Sequence, residues 1–162
     1  MSIIVPKPTL PFKNIKPSGL VATTLTNCTA VLVNNAAEDE LAYDIDASGV
    51  GSAVIEFLFQ IPDDFKKFAG KSDDVSIRAV QDAGADNDST ITIDVIDTSG
   101  TDSDDDSVNA EDLTGSFATY DCAIDAGSFN AGDNITIKIT TTNPDADDDC
   151  LITIPKLKYI PQ

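Results

Sequence analysis

Histidine and tryptophan are absent from this chain of 162 residues, and arginine occurs once, at Arg78. Without histidine the commonest general base, the usual triad partner and any mixed Cys/His zinc site are gone. A single arginine inside a strand-like run leaves no guanidinium clamp for phosphate, and no glycine-rich phosphate loop accompanies it. Paired carboxylates can run glycoside chemistry, but among 24 aspartates any chosen pair carries little information. The expectation is a protein that is not an enzyme. Missing tryptophan also removes the best stacking platform for a sugar ring. Tyr43, Tyr120 and Tyr159 lie in strand-like runs where packing explains them, and the seven phenylalanines read as core. No stretch approaches the roughly 18 apolar residues that span a bilayer. The N-terminus lacks the order of a signal peptide, since its first basic residue follows the apolar SIIV and prolines interrupt what comes next.

Cysteine is scarce as well. Cys28, Cys122 and Cys150 are an odd number with no CxxC, so they cannot close a full internal set of disulfides. Cys122 and Cys150 sit beside strand-like sequence and read as small buried apolar residues. One bridge between two of the three stays open.

What the chain does have is aspartate. The 28 acidic residues include four glutamates only, and the net charge is −18. Such a body repels nucleic acid and anionic membranes. Aspartate favours turns, so this excess predicts many loops and little helix. The charge is unevenly spread. Residues 1–19, MSIIVPKPTLPFKNIKPSG, hold Lys7, Lys13 and Lys16, four prolines and no acid. The prolines forbid helix and withhold ladder donors, which predicts an extended basic arm. Ile3, Ile4, Val5, Leu10, Phe12 and Ile15 make the arm apolar. It is suited to lying on another protein; the alternative is that it packs back on its own domain as an edge strand.

Residues 20–162 read as short strand-like runs between Asp/Gly/Asn/Ser turns. The runs are 20–26, 28–33, 41–45, 53–61, 75–80, 90–97, 117–124, 134–142 and 150–160, several with period two. DDFKKFAG (63–70) is the one plausible helix, closed by Gly70. DASGVG (46–51) reads as a turn. Residues 97–116, with seven acids in twenty positions, read as a long projecting loop. The predicted fold class is all-β: an antiparallel β-sandwich or jelly roll of about eight or nine strands, with the arm in front.

Three acidic clusters invite calcium, which takes six to eight oxygen ligands. They are Asp102, Asp104, Asp105 and Asp106; Asp145, Asp147, Asp148 and Asp149; and Asp82, Asp86 and Asp88. None reproduces a complete calcium-loop spacing, and a solvated acidic loop explains each. The first is the one to back if any binds metal; otherwise no cofactor is expected.

Two stretches carry a resemblance. In 53–80, Phe59, Ile61, Pro62, Asp64 and Phe65 are followed by the alternating Val75, Ile77 and Val80. In SFNAGDNITIKITTT (128–142), Gly132 and Asp133 make a turn before Ile135, Ile137 and Ile139. Over these residues the chain resembles jelly-roll virion proteins of tailed bacteriophages, of the head decoration (cement) or fibre type. The resemblance implies a non-enzymatic structural protein on the virion capsid surface, bound to the major capsid protein, and a homo-oligomer, for instance a trimer. The arm would then supply the contacts, with Ile3, Ile4, Val5, Leu10 and Phe12 as apolar anchors and Lys7, Lys13 and Lys16 as charge contacts. The alternative is a carbohydrate- or cell-surface-binding β-sandwich module with calcium in its Asp-rich loops.

Overall fold

A computed structural model of the chain describes residues 12–35, 40–81, 88–101, 104–106, 108–125 and 129–162, with backbone alone at 21, 22, 35 and 104–106. The fold is an all-β antiparallel sandwich of the jelly-roll kind, with twelve strands and no helix among the described residues. In chain order they are β1 (Lys13–Ile15), β2 (Gly19–Asn35), β3 (Glu40–Gln60), β4 (Phe65–Lys67), β5 (Val75–Gln81) and β6 (Thr90–Ile96). Then come β7 (Asp104–Asp106), β8 (Val108–Asp112), β9 (Ala118–Ile124), β10 (Asn134–Asn143), β11 (Cys150–Thr153) and β12 (Lys156–Pro161).

Two layers share β2 and β3. The first half of β3 joins β11, β5 and β9, with β12 beside β5 and β1 beside β12. Its second half joins β10, β6 and β8. Alternation puts Ile55, Phe57 and Phe59 of β3 inside, against Ile135, Ile137 and Ile139 of β10 and Ile91, Ile93 and Val95 of β6. Val75, Ile77, Cys122, Cys150, Ile152 and Leu157 close the core from the other layer. At about 25 cal/mol per Å² of apolar area removed from water, this continuous core is the main source of stability.

Several expectations from the sequence are corrected. The runs at 20–26 and 28–33 form one 17-residue strand, and 41–45 and 53–61 belong to one 21-residue strand. The expected turn at 46–51 is a bulged passage within β3, held by Asn27 on β2. Asn27 takes a positive φ of 51°, donates from Nδ2 to the Val50 carbonyl at 2.8 Å and accepts at its own carbonyl from Ser48 Oγ at 3.0 Å. The expected helix at 63–70 is a turn followed by β4, because Phe65 and Phe68 are both drawn into the core and Ile160 and Pro161 pair with that strand. The expected 97–116 loop contains β7 and β8, which pair with β9 and β6 and so bind one side of the sandwich together.

The N-terminal strand is part of the domain. Residues 13–15 pair with 157–159 of β12, and Ile15 is buried. Lys13 forms an ion pair with Asp64, whose other oxygen accepts from Tyr159 Oη at 2.6 Å. These two hydrogen bonds, Lys13's first, hold the Asp64 carboxyl below its ordinary value, while burial and the carboxylate push Tyr159 up to about 12. A second carboxylate, Asp74, is fully buried just before β5. It accepts from the backbone amides of Ala69 (3.1 Å), Gly70 (2.8 Å) and Lys71 (3.1 Å), pinning the turn that delivers β5.

Four outcomes are expected. Gly51→Ala should cost about 2 kcal/mol in a denaturant titration, because a Cβ at Gly51 would sit 2.1 Å from the Thr26 carbonyl oxygen. Gly19→Ala, with nothing within 4 Å, should stay within about 0.5 kcal/mol. Asp74→Ala should cost about 3 kcal/mol by leaving buried amides without an acceptor. Asp64 contributes stability above its unfolded value of 3.8 and loses it as pH falls through the lowered folded value. Lys13→Met should therefore flatten the acid limb of a melting-temperature profile relative to wild type.

Candidate functional site

Alternation in β5 turns Val75, Ile77 and Ala79 inward, so Ser76 and Arg78 face out. Register places their neighbours. Lys156 of β12 lies on one side of Ser76 and Asp121 of β9 on the other, and Arg78 stands beside Thr119. One strand further along, Asn14 of β1 is opposite Lys158 of β12. Asn14, Asp73, Ser76, Asp121, Lys156 and Lys158 line a hollow of about 350 Å³ on this outer face.

The charges are arranged in pairs. Lys158 Nζ is 2.5 Å from Asp73, which lowers the Asp73 carboxyl below its ordinary value. Glu40 is shared by Lys156 and by Arg78, the latter at 3.4 Å. Three of the ten cations of an acidic chain, Arg78, Lys156 and Lys158, are thus ion-paired on this face. The exception is Asp121, whose Oδ1 is shielded from solvent and finds no donor among the described residues.

Two rings lie on this side of the sheet, Phe12 next to the hollow and Phe117 further along, at the start of β9, each with a cation over it. The Arg78 guanidinium lies 5.1 Å from the centroid of half-buried Phe117. Lys158 Nζ lies 5.2 Å from the ring of Phe12, which is 48% exposed. Arg78 and Lys158 are separated by two outward-facing rows of the sheet, about 13 Å at normal strand rise. The face therefore offers polar donors and acceptors together with two aromatic rings.

The sequence pointed elsewhere. Of the residues expected to hold a partner, Ile3, Ile4, Val5, Lys7 and Leu10 lie outside the described residues. Phe12 and Lys13 are bound to this chain's own domain, through Lys158 and Asp64, and Lys16 is exposed beside β1. Asp102 lies outside the described residues, and Asp104, Asp105 and Asp106 form β7, which pairs with β9. In the second acidic cluster, Asp148 is fully buried and accepts from Gln81 Nε2 at 2.9 Å and from the Asp145 amide at 2.9 Å. Asp149 accepts from the Ala47 amide at 2.9 Å. In the third, Asp82 and Asp86 lie outside the described residues. Among the described residues no three His, Cys, Asp or Glu side chains are grouped to hold a metal.

The three tyrosines are packed as expected: Tyr43 against Phe57, Tyr120 donating to the Asp112 carbonyl, Tyr159 to Asp64. All three cysteines are free, and burial pushes the Cys150 thiol up to about 11, well away from a reactive thiolate. Sequence reasoning missed Phe117 and the role of Arg78. The period-two run at 75–80 already set Ser76 and Arg78 on one side, but not what stood beside them.

No protein-family model matches the sequence, and no curated protein is similar to it. The fold has solved counterparts. The carbohydrate-binding module TmCBM61, in complex with beta-1,4-galactotriose, matches with a TM-score of 0.54 at 14% identity, over 86% of this chain and 87% of its own. A Stig cyclase, Fisc, from Fischerella sp. TAU matches at 0.52 and 14% identity, over 93% and 85%. A third structure, of carbohydrate-binding modules from the β-sandwich superfamily, matches at 0.50 and 12% identity, over 82% of this chain and 54% of its own. None of these is a capsid decoration protein, so the expectation of a phage decoration or cement protein is corrected. Of the stretches 53–80 and 128–142 that carried that resemblance, 53–80 runs from the second half of β3 to β5 and 129–142 is the turn into β10 with most of that strand. They are general parts of a β-sandwich. This chain has the fold of carbohydrate-binding β-sandwich modules.

Proposed function

We propose that this domain binds carbohydrate, without transforming it, on the outer face of β5, β9 and β12. The observation that carries the reading is the hollow lined by Asn14, Ser76, Asp121, Lys156 and Lys158, with the Phe12 ring against Lys158 and the Arg78–Phe117 pair further along the same face. A sugar presents hydroxyls that both donate and accept, and C–H faces that rest on aromatic rings. The Asp121 carboxylate, which lines the hollow, supplies an acceptor. Lys156, Lys158 and Asn14 supply donors. The ion pairs with Glu40 and Asp73 hold these side chains in place and offset their charge, which suits a neutral ligand. A separation of about 13 Å between the two cations suits an oligosaccharide better than a single ring. The fold's likeness to TmCBM61, itself solved with a galactotriose, supports the class of ligand and not the particular sugar.

The test is a glycan array followed by titration calorimetry, with galacto-oligosaccharides as the first probe. Asp121→Ala and Phe117→Ala should each weaken binding about tenfold, equivalent to about 1.4 kcal/mol. Thr140→Ala, on the outer face of the opposite layer, should leave affinity unchanged. Binding that survives both site changes, or an array with no hit, would sink the assignment.

A further inference from the structure

We propose that β2 is the contact strand of a symmetric dimer, pairing antiparallel with β2 of a second copy of this chain. Among the described residues β2 is hydrogen-bonded to β3 alone, leaving its other edge as a row of unpaired backbone donors and acceptors. Native proteins guard such edges with charged residues, lysine above all, or with proline. β2 has neither: its 17 residues, GLVATTLTNCTAVLVNN, contain no charged side chain and no proline. The other margin of the sandwich is guarded, since β7 and β8 carry Asp104, Asp105, Asp106, Glu111 and Asp112 in eight short-strand positions.

The side chains along β2 agree. Leu20, Leu25 and Leu32, across from Phe57, Ala53 and Tyr43, are 40–49% exposed in a strip on one side of β2 that Leu41 of β3 extends, and Val31 is 56% exposed on the other side. Isolated exposed apolar residues are ordinary, but a strip along an unguarded edge marks an interaction surface.

Charge selects the occupant. With a net charge of −18, two copies repel everywhere except where both are uncharged. A basic partner would be drawn to the acidic surfaces and gain nothing from this strip. A second β2 is uncharged along the same length and completes the same ladder. The nearest described acids behind the strip, Glu40, Asp44, Asp46 and Glu56, stand on β3 opposite Asn35, Val31, Thr29 and Ala22. In a β2–β2 pairing they would face their counterparts across three strand spacings, about 14 Å. That exceeds the Debye length of about 8 Å at physiological salt. The interface is isologous and closes on itself, so it yields dimers and not fibres.

Sedimentation equilibrium on the full chain tests this. Wild type should show twice the chain mass, with a dissociation constant that falls as NaCl rises, because salt screens the repulsion between the bodies. Leu25→Lys and Leu32→Lys should each give monomer with an unchanged circular dichroism spectrum, and Thr140→Lys should stay dimeric. A monomeric wild type overturns the proposal, and so does a dimer that salt dissociates. It is also overturned if both β2 variants stay dimeric while Ile4→Lys dissociates the dimer, which would place the N-terminal segment at the contact.

Discussion

A single strand has to serve two sheets. β3 runs 21 residues from one layer into the other, and every inward-facing residue on both sides of the passage must keep its phase. A one-residue slip would turn Ile55, Phe57 and Phe59 out to solvent and their polar neighbours into the core. The chain absorbs the crossing at 47–51, where β3 takes up extra residues against Asn27 of β2. That accommodation depends on an atom that is missing. Gly51 lets the Thr26 carbonyl approach where any other residue would place a Cβ. The layers, the shared core and the position of β11 and β10 on either half of β3 all follow from that passage.

The outer face of β5, β9 and β12 depends on a different economy of charge. Elsewhere, described acids such as Asp63, Asp145 and Asp147 sit exposed in turns, where water solvates them. On this face carboxylates and cations are matched one against another: Asp73 with Lys158, Glu40 with Lys156 and Arg78. Exposed pairs of this kind contribute little to stability. Their effect is to fix long side chains around a hollow and to keep the local field near neutral in a strongly acidic molecule.

The sequence made some of this legible and hid the rest. Period-two runs at 75–80, 90–97 and 134–142 became β5, β6 and β10 almost residue for residue, because strands with one buried face must alternate. Asn27 and Ser48–Gly51 looked like turns because local chemistry is all that a sequence displays. Pairing along the length of β2 overrode it. Asp-rich 97–116 looked like a loop for the same reason, although a short strand needs only an open edge beside it. Phe117 was lost among seven phenylalanines, of which Phe57, Phe59, Phe65, Phe68 and Phe129 are core. Nothing in the chain announces that Lys156 and Asp121 flank Ser76, since strand order decides it.

The pairing of β1 with β12 has a mechanical consequence. Lys13 is opposite Tyr159 and Ile15 opposite Leu157, so the chain enters and leaves the sandwich at the same end of one antiparallel ladder. Tension between the two ends therefore loads that ladder bond by bond, as a zipper, and not all bonds together in shear. The first residues to peel away are those around Phe12 and Asn14, one wall of the polar hollow. A pull on the ends would dismantle that wall well before it reached the core, so the hollow would open under load while the sandwich stayed folded.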